Sequence, residues 1–127
     1  MEPLKTVSYK NKTISIVPDP YPDNPREWDN LTEFHCCHKK YSLGDKHFNY
    51  PNSQDCLTIA KQAKQQNDIV LPLYLYDHSG ITISLSPFTC PWDSGQVGFV
   101  ILRRDKLLTE FSAKKLTKKL KHKALHI

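Results

Sequence analysis

Hydrophobic and polar residues alternate along the middle of the chain. Leucine occupies every second position from 71 to 75, and isoleucine or leucine occupies every second position from 81 to 85. This period of two predicts two half-buried β-strands, and the sequence DHSG at 77–80 suits a hairpin loop between them. The next apolar run, 97–102, lacks the alternation, which predicts a central strand covered on both faces.

The N-terminal half of the chain predicts a hairpin and one amphipathic helix. Lys5–Tyr9 and Thr13–Val17 carry apolar residues on both sides of a short polar turn, which is typical of a hairpin. Apolar residues recur at helical spacing over residues 54–66, and Asn52 or Ser53 can cap that helix.

The C-terminal end is predicted to be helical. Asp105 can cap a short helix over residues 106–111, and Ser112 can cap a second helix after it. The second helix would carry an apolar stripe of Ala113, Leu116, Leu120 and Ala124.

These elements predict one α+β domain. Residues 31–41 fit either a strand or a short helix, so the secondary structure of this segment is not decided by the sequence. We expect a mainly antiparallel sheet with one amphipathic helix and basic C-terminal helices. The single domain, residues 1–127, would consist of an α+β core over 1–102 and a basic helical region over 103–127.

Positive charge is concentrated at the C-terminal end. The 127 residues include 18 Lys and Arg and 13 Asp and Glu, a formal net charge of +5. Residues 101–127 hold nine of the basic and two of the acidic residues, so the remaining residues are nearly neutral. This distribution argues against an acidic mimic of DNA and favours contact with phosphate or with an acidic protein surface. The candidate partner-binding residues here are Arg103, Arg104, Lys114, Lys115, Lys118, Lys119, Lys121 and Lys123.

A proline-rich loop, residues 18–30, supplies two further candidates, Arg26 and Trp28. Four prolines in this loop exclude a helix or an inner strand. One interpretation is structural, with Trp28 clamping the loop over the core and Arg26 paired to a carboxylate. The other is a rigid recognition surface, because Trp and Arg dominate binding hot spots.

Two predicted loops contain side chains with catalytic potential. Asp77 and His78 lie in the first loop, and Cys90 and Asp93 lie in the second. Cys90 is a candidate nucleophile with His78 or His38 as its base, and Asp45 or Asp93 would orient that base. Strand pairing places the loops at opposite ends of the strand between them, roughly 15–20 Å apart. They meet only if the longer loop folds back, and ordinary turn chemistry is the alternative interpretation.

His35, Cys36 and His38 are the candidate metal ligands. Imidazole and thiolate suit zinc, but structural zinc sites usually contain two spaced ligand pairs, and this chain has no CxxC. The leading interpretation therefore has no metal and no cofactor. The structural alternative is a small buried cysteine beside a partly exposed histidine.

Four motifs resemble an uncharacterised family of small proteins found mainly in bacteriophages and prophages. They are NPREWDNL at 24–31, CxHxxYxLGD at 36–45, LPLYLYDHSG at 71–80 and PFxCPWDSGQVG at 87–98. Lys39 and Lys40 stand where the family commonly has paired arginines, which weakens bidentate anion binding at that place. The resemblance implies a phage origin and action in the host cytoplasm.

The leading functional interpretation is a phage-encoded, non-enzymatic binding protein that inhibits a host defence system, for example an anti-CRISPR protein. Its partner would be a host defence protein or nucleoprotein complex, or a DNA or RNA phosphate backbone. No run of 18 apolar residues and no signal-peptide core occur, so we expect a cytoplasmic protein with reduced cysteines and no membrane partner. The alternative is a small hydrolase or nuclease, metal-dependent or not, that uses the Asp, His and Cys loops.

Overall fold

The chain has the α+β fold that the sequence predicts, built from an antiparallel sheet, a separate hairpin and helices. The computed structural model describes residues 2–45 and 47–126. In chain order the elements are β1 (Lys5–Tyr9), β2 (Lys12–Ile16), a 3₁₀ helix (Pro25–Glu27), β3 (Thr32–Cys36), α1 (Ser53–Gln65), β4 (Ile69–Asp77), β5 (Ile81–Ser84), β6 (Ser94–Leu102), α2 (Arg104–Glu110) and α3 (Lys118–Ala124).

Strand β6 lies at the centre of the main sheet. The strand order is β3-β6-β4-β5, and every neighbouring pair is antiparallel. Val100 of β6 stands between Phe34 of β3 and Leu71 of β4. Val100, Ile101 and Leu102 are all buried, so consecutive side chains are covered on both faces, as the apolar run predicts.

Different elements cover the two faces of the sheet. Helix α1 packs on β3, β4 and β6, and its side chains Cys56, Ala60 and Ala63 are buried. On the other face, Leu107 and Ala124 from the C-terminal segment join one apolar cluster with the sheet. Those two layers hold β6 rigidly and leave the edge strand β5 exposed.

Residues 31–41, whose secondary structure the sequence does not decide, contain a strand and not a helix. Strand β3 pairs with β6, and Cys56 of α1 donates its S–H to the backbone oxygen of His35 at 3.3 Å. The predicted helix is also present, and Asn52 caps it by accepting a hydrogen bond from the Asp55 N–H at 3.0 Å.

The two C-terminal helices begin at other residues than the sequence suggests. Helix α2 starts at Arg104, so Asp105 lies inside its first turn and does not cap it. Ser112 has a φ of +50°, a left-handed conformation that ends a helix and does not begin one. The cap of α3 is Thr117, whose side chain accepts a hydrogen bond from the Leu120 N–H.

The N-terminal hairpin projects from the body. Lys10 and Asn11 form its two-residue turn with φ values of 46° and 60°, as a type I′ turn requires. Every residue of β1 and β2 is exposed. None of the helices in the described residues is long and apolar enough to cross a membrane.

Candidate functional site

The C-terminal segment presents a group of exposed basic side chains. Six lysines on and before α3 are exposed, and we call them the basic surface: Lys114, Lys115, Lys118, Lys119, Lys121 and Lys123. Four of them, at positions 114, 115, 119 and 123, line a groove of about 460 Å³. Among residues 2–45 and 47–126, no ion pair neutralises any lysine of this surface.

Apolar side chains beneath the basic surface fix its position. Leu116 and Ala124 pack against the core cluster, so the opposite side of this segment faces outward. Lys123 lies 5.3 Å from the centre of the Phe111 ring, which restrains its stem without removing its charge. The arrangement supplies exposed cations at fixed places, which is what recognition of a polyanion needs.

Arg103, predicted as a partner-binding residue, is used inside the protein. Its guanidinium donates to both carboxylate oxygens of Glu33 at 3.1 Å and to Asp68 at 3.1 Å. Burial opposes ionisation of Glu33, but its hydrogen bonds from Arg103 and His35 prevail and lower its pKa. Arg103 is therefore a structural residue, whereas Arg104 is partly exposed and has only a 3.7 Å contact with Asp105.

Arg26, another predicted contact residue, is also held by hydrogen bonds within the protein. It donates to both oxygens of Asp45 at 2.8 Å and to the backbone oxygen of Thr32 at 2.8 Å. Its guanidinium carbon lies 4.1 Å from the centre of the Phe34 ring. The interpretation that pairs Arg26 with a carboxylate therefore describes this side chain, and its role in partner binding stays a prediction.

Trp28 does not clamp the loop over the core. Its side chain is 60% exposed, and it lines an open depression of about 610 Å³ together with Asn30 and Lys106. Since Arg26 anchors the loop next to it, Trp28 is presented on a fixed base. An exposed tryptophan in such a setting remains a candidate contact residue.

The two loops with catalytic potential meet at one end of the sheet. Nδ1 of His78 lies 3.2 Å from a carboxylate oxygen of Asp93, and the Asp77 N–H donates to the backbone oxygen of Asp93 at 2.8 Å. The longer loop folds back, as a shared site requires, because β6 pairs with β4 and Tyr76 stands opposite Ser94. Asp93, which immediately precedes β6, therefore lies beside Asp77, the last residue of β4.

The order of these groups is not that of a nucleophilic triad. In such a relay the imidazole lies between the nucleophile and the carboxylate. Here the Asp93 carboxylate contacts His78, and Cys90 Sγ lies 4.0 Å from the same carboxylate. Asp45 belongs to the Arg26 pair and accepts the Phe34 N–H, so it is not part of this site.

A cavity of about 370 Å³ adjoins Asp77 and Asp93. His38 and Trp92 line it together with Asp77 and Asp93, and the Tyr41 hydroxyl donates to Asp77 at 3.3 Å. His38 was an alternative base in the sequence-based site, whereas Tyr41 and Trp92 had no place in it. Only the long-range pairing of β4 and β6 brings their segments together, and no local pattern encodes it.

The structure does not bring the three candidate metal ligands together. His35 and Cys36 are neighbours on β3, so their side chains point to opposite faces of the sheet. His38 lies beyond the strand and accepts hydrogen bonds from the Lys40 and Tyr41 N–H groups. Burial raises the pKa of Cys36 to about 12, which disfavours the thiolate that a metal needs. Within the described ranges 2–45 and 47–126, no group of three His, Cys, Asp or Glu side chains could hold a metal ion.

His35 instead belongs to a buried polar network. Its Nε2 lies 2.9 Å from Glu33, and its Nδ1 lies 2.8 Å from the Tyr50 hydroxyl. Burial lowers the pKa of His35 despite the neighbouring carboxylate, so the neutral ring is favoured. An ionised Glu33 can only accept, so Nε2 carries the proton and Nδ1 accepts from Tyr50.

No protein-family model, curated protein or solved structure matches this chain. The resemblance to the phage family therefore stays a prediction from the four motifs. The functional argument rests on the geometry of the basic surface, Trp28 and the loop site.

Proposed function

We propose that this chain is a non-enzymatic binding protein that uses its basic surface to engage a nucleic-acid phosphate backbone. The observation that supports this function is the group of six exposed lysines for which the structure shows no internal counterion among its described residues. Lysines at the surface of a folded protein neutralise phosphates and release their counterions. The nearly neutral body confines this attraction to one side of the molecule.

Trp28 is the second contact in this proposal. The basic surface supplies sequence-independent attraction, and an exposed tryptophan on a fixed loop supplies an aromatic anchor for a protein partner. The two features together suit a nucleoprotein complex, which offers both phosphate and protein surface. The side chains of Arg26 and Arg103 only support these surfaces.

The biological role that we propose is inhibition of a host defence complex by a phage-encoded protein. The four sequence motifs motivate the phage origin, and the polyanion-binding surface motivates a defence complex that contains nucleic acid. An anti-CRISPR protein acting in the host cytoplasm is one concrete form. Occupying the phosphate-binding channel of such a complex would prevent its target from entering.

The proposal is tested by reversing the charge of the basic surface. The variant Lys114→Glu, Lys115→Glu, Lys118→Glu and Lys119→Glu should bind labelled DNA or RNA at least about 100-fold more weakly than the wild type at moderate salt. A matched control reverses four exposed lysines elsewhere, at positions 39, 40, 61 and 64, with the same change in net charge. The control should lose no more than about threefold.

Fluorescence anisotropy with the same labelled oligonucleotide gives both affinities. Equal weakening of the two variants would mean that net charge, and not this surface, determines binding. Unchanged binding by the basic-surface variant would contradict the proposed site.

A second candidate function, a small hydrolase or nuclease, is favoured by the meeting of Asp77, His78 and Asp93 beside a cavity. The variant His78→Ala removes the candidate acid or base and should leave the fold intact, because the His78 side chain is 63% exposed. Loss of hydrolytic activity on a panel of phosphodiester and ester substrates, with an unchanged circular dichroism spectrum, would favour the enzyme. The binding proposal predicts that wild type and variant behave alike.

A further inference from the structure

The N-terminal hairpin has an apolar face that nothing in its own chain covers. Val7 and Ile14 are cross-strand partners, and Tyr9 and Ile16 lie on the same face by the alternation of the strands. The other face is polar, with Thr6 hydrogen-bonded to Ser15. All four apolar side chains are 45–61% exposed, so we call residues 3–17 the arm and these side chains its apolar face.

A hairpin of this kind needs a covering surface. Two-stranded hairpins are marginally stable alone in water and gain stability from a further strand or a packed face. The described residues of the body make few contacts with β1 or β2, whose main contacts are with each other. The apolar face of the arm is therefore built to pack on something outside its present surroundings.

The main sheet has an apolar groove that could receive such an arm. It lies beside the edge strand β5, has a volume of about 360 Å³ and contains no charged side chain in its lining. Leu71, Val100 and Leu102 form its floor, while Ile83, Leu85 and Leu125 line it with 45–50% of their surface exposed. We call this the edge groove.

The connection between arm and body favours a groove on another molecule. Residues 17–25 are exposed throughout and contain prolines at 18, 20, 22 and 25. Prolines hold a segment extended as a semi-rigid spacer. The far end of the spacer is fixed where Arg26 binds Asp45. An extended spacer on a fixed base keeps the exposed arm off its own sheet, which leaves its apolar face open to another molecule.

We propose that two copies of this chain form a closed dimer in which each arm packs its apolar face into the edge groove of the other copy. Each chain has one arm and one groove, so a two-fold axis satisfies both at once. Seven half-exposed large side chains, four on the arm and three in the groove, would be covered at each contact. At roughly 100 Å² each, two contacts bury about 1,400 Å², which lies within the range of specific interfaces.

The first test is the mass of the protein in solution. Sedimentation equilibrium at about 10 to 100 μM should give twice the chain mass for the wild type. The variant Val7→Glu with Ile14→Glu should sediment as a monomer with an unchanged circular dichroism spectrum, since both side chains are exposed. The matched control, Thr6→Glu with Thr13→Glu, changes the polar face of the same strands and should remain dimeric.

The second test is complementation between arm and groove. The variant Ile83→Glu with Leu85→Glu places two charges in the apolar groove and should also be monomeric. Mixed with the arm variant it keeps one intact contact, so the mixture should contain a heterodimer. A monomeric wild type, a dimeric arm variant, a monomeric polar-face control or a mixture without heterodimer would each overturn the proposal.

Cross-linking decides whether the arm reaches another copy. A photoreactive residue at Tyr9 in a mixture of ¹⁴N- and ¹⁵N-labelled chains should give cross-links to residues 81–85 that join unlike isotopes. Cross-links that join only like isotopes would mean that the arm folds onto its own chain, which overturns the exchange.

Discussion

At the scale of single residues, Arg26 shows how a partner far away in sequence decides a role. Its guanidinium donates four hydrogen bonds, to Asp45 and to Thr32, which leaves one N–H for anything else. The residue type and its loop suit both a binding hot spot and an internal ion pair. The sequence alone left both interpretations open because Asp45 lies 19 residues away.

The variant Arg26→Lys should therefore destabilise the protein without changing its binding to nucleic acid. Lysine keeps the charge but cannot donate the paired hydrogen bonds, so we expect a loss of about 1–2 kcal/mol in the free energy of unfolding. Urea denaturation measures it. Arg104→Lys, which has only a weak ion pair, is the control and should cost almost nothing. An unchanged stability combined with weaker binding would return Arg26 to the contact surface.

The ion pair between Arg26 and Asp45 also makes the stability of the fold depend on pH. The hydrogen bonds from Arg26 and the Phe34 N–H outweigh burial and lower the pKa of Asp45. Because the pKa of Asp45 is lower in the folded protein than in the unfolded chain, its ionised carboxylate stabilises the fold at pH values above the ordinary aspartate pKa. This stabilisation is lost as the pH falls through the pKa of the folded protein. The wild type should thus lose stability below about pH 4, and Asp45→Asn should lose this part of the dependence. Denaturation curves between neutral and acid pH compare the two.

At the scale of elements, the local patterns predicted most strands and α1 but not how the strands pair. Alternation depends on side chains two residues apart, so β4 and β5 could be predicted from a short window. The pairing of β6 with both β3 and β4 depends on contacts between distant segments. That pairing brings Asp77 and Asp93 together, and the sequence alone could not decide whether the longer loop folds back to allow it.

The helix boundaries in the C-terminal segment could not be predicted for a related reason. Ser112 and Thr117 are both good capping residues, and only the packing of Leu116 and Ala124 on the sheet selects the second. The lysine-rich surface, in contrast, could be predicted from the concentration of charge in the sequence. All six lysines are exposed in the described structure, although the predicted cap of their helix was wrong.

Gly98 of β6 lies very close to the backbone of β3. A Cβ built on it would lie 1.9 Å from the backbone oxygen of His35, which cannot move without breaking the β3–β6 pairing. Gly98→Ala should therefore cost more than about 3 kcal/mol or prevent folding. Gly95 lies in the same strand with nothing within 4 Å of such a Cβ.

Gly95→Ala is the matched control for this strand. It should leave the midpoint of urea denaturation nearly unchanged. Equal stability of the two variants would mean that β3 and β6 are not held as closely as described.

At the scale of the whole molecule, the basic surface and the arm come from opposite ends of the sequence. The basic surface lies on the C-terminal segment, whereas exposed apolar residues are frequent on the arm and along β5. The net charge of the tail could be predicted from composition. The edge groove could not, because it exists only where the C-terminal segment stops covering the sheet.

The dependence of nucleic-acid affinity on salt tests the binding proposal most directly. For duplex DNA, log K falls by about 0.9 per phosphate neutralised for each tenfold increase in salt. If three to six lysines of the basic surface contact phosphates, the slope should be about −3 to −5, and reversing Lys114, Lys115, Lys118 and Lys119 should abolish it. A wild-type protein that does not bind, or that binds with an affinity indifferent to salt, would contradict the proposal.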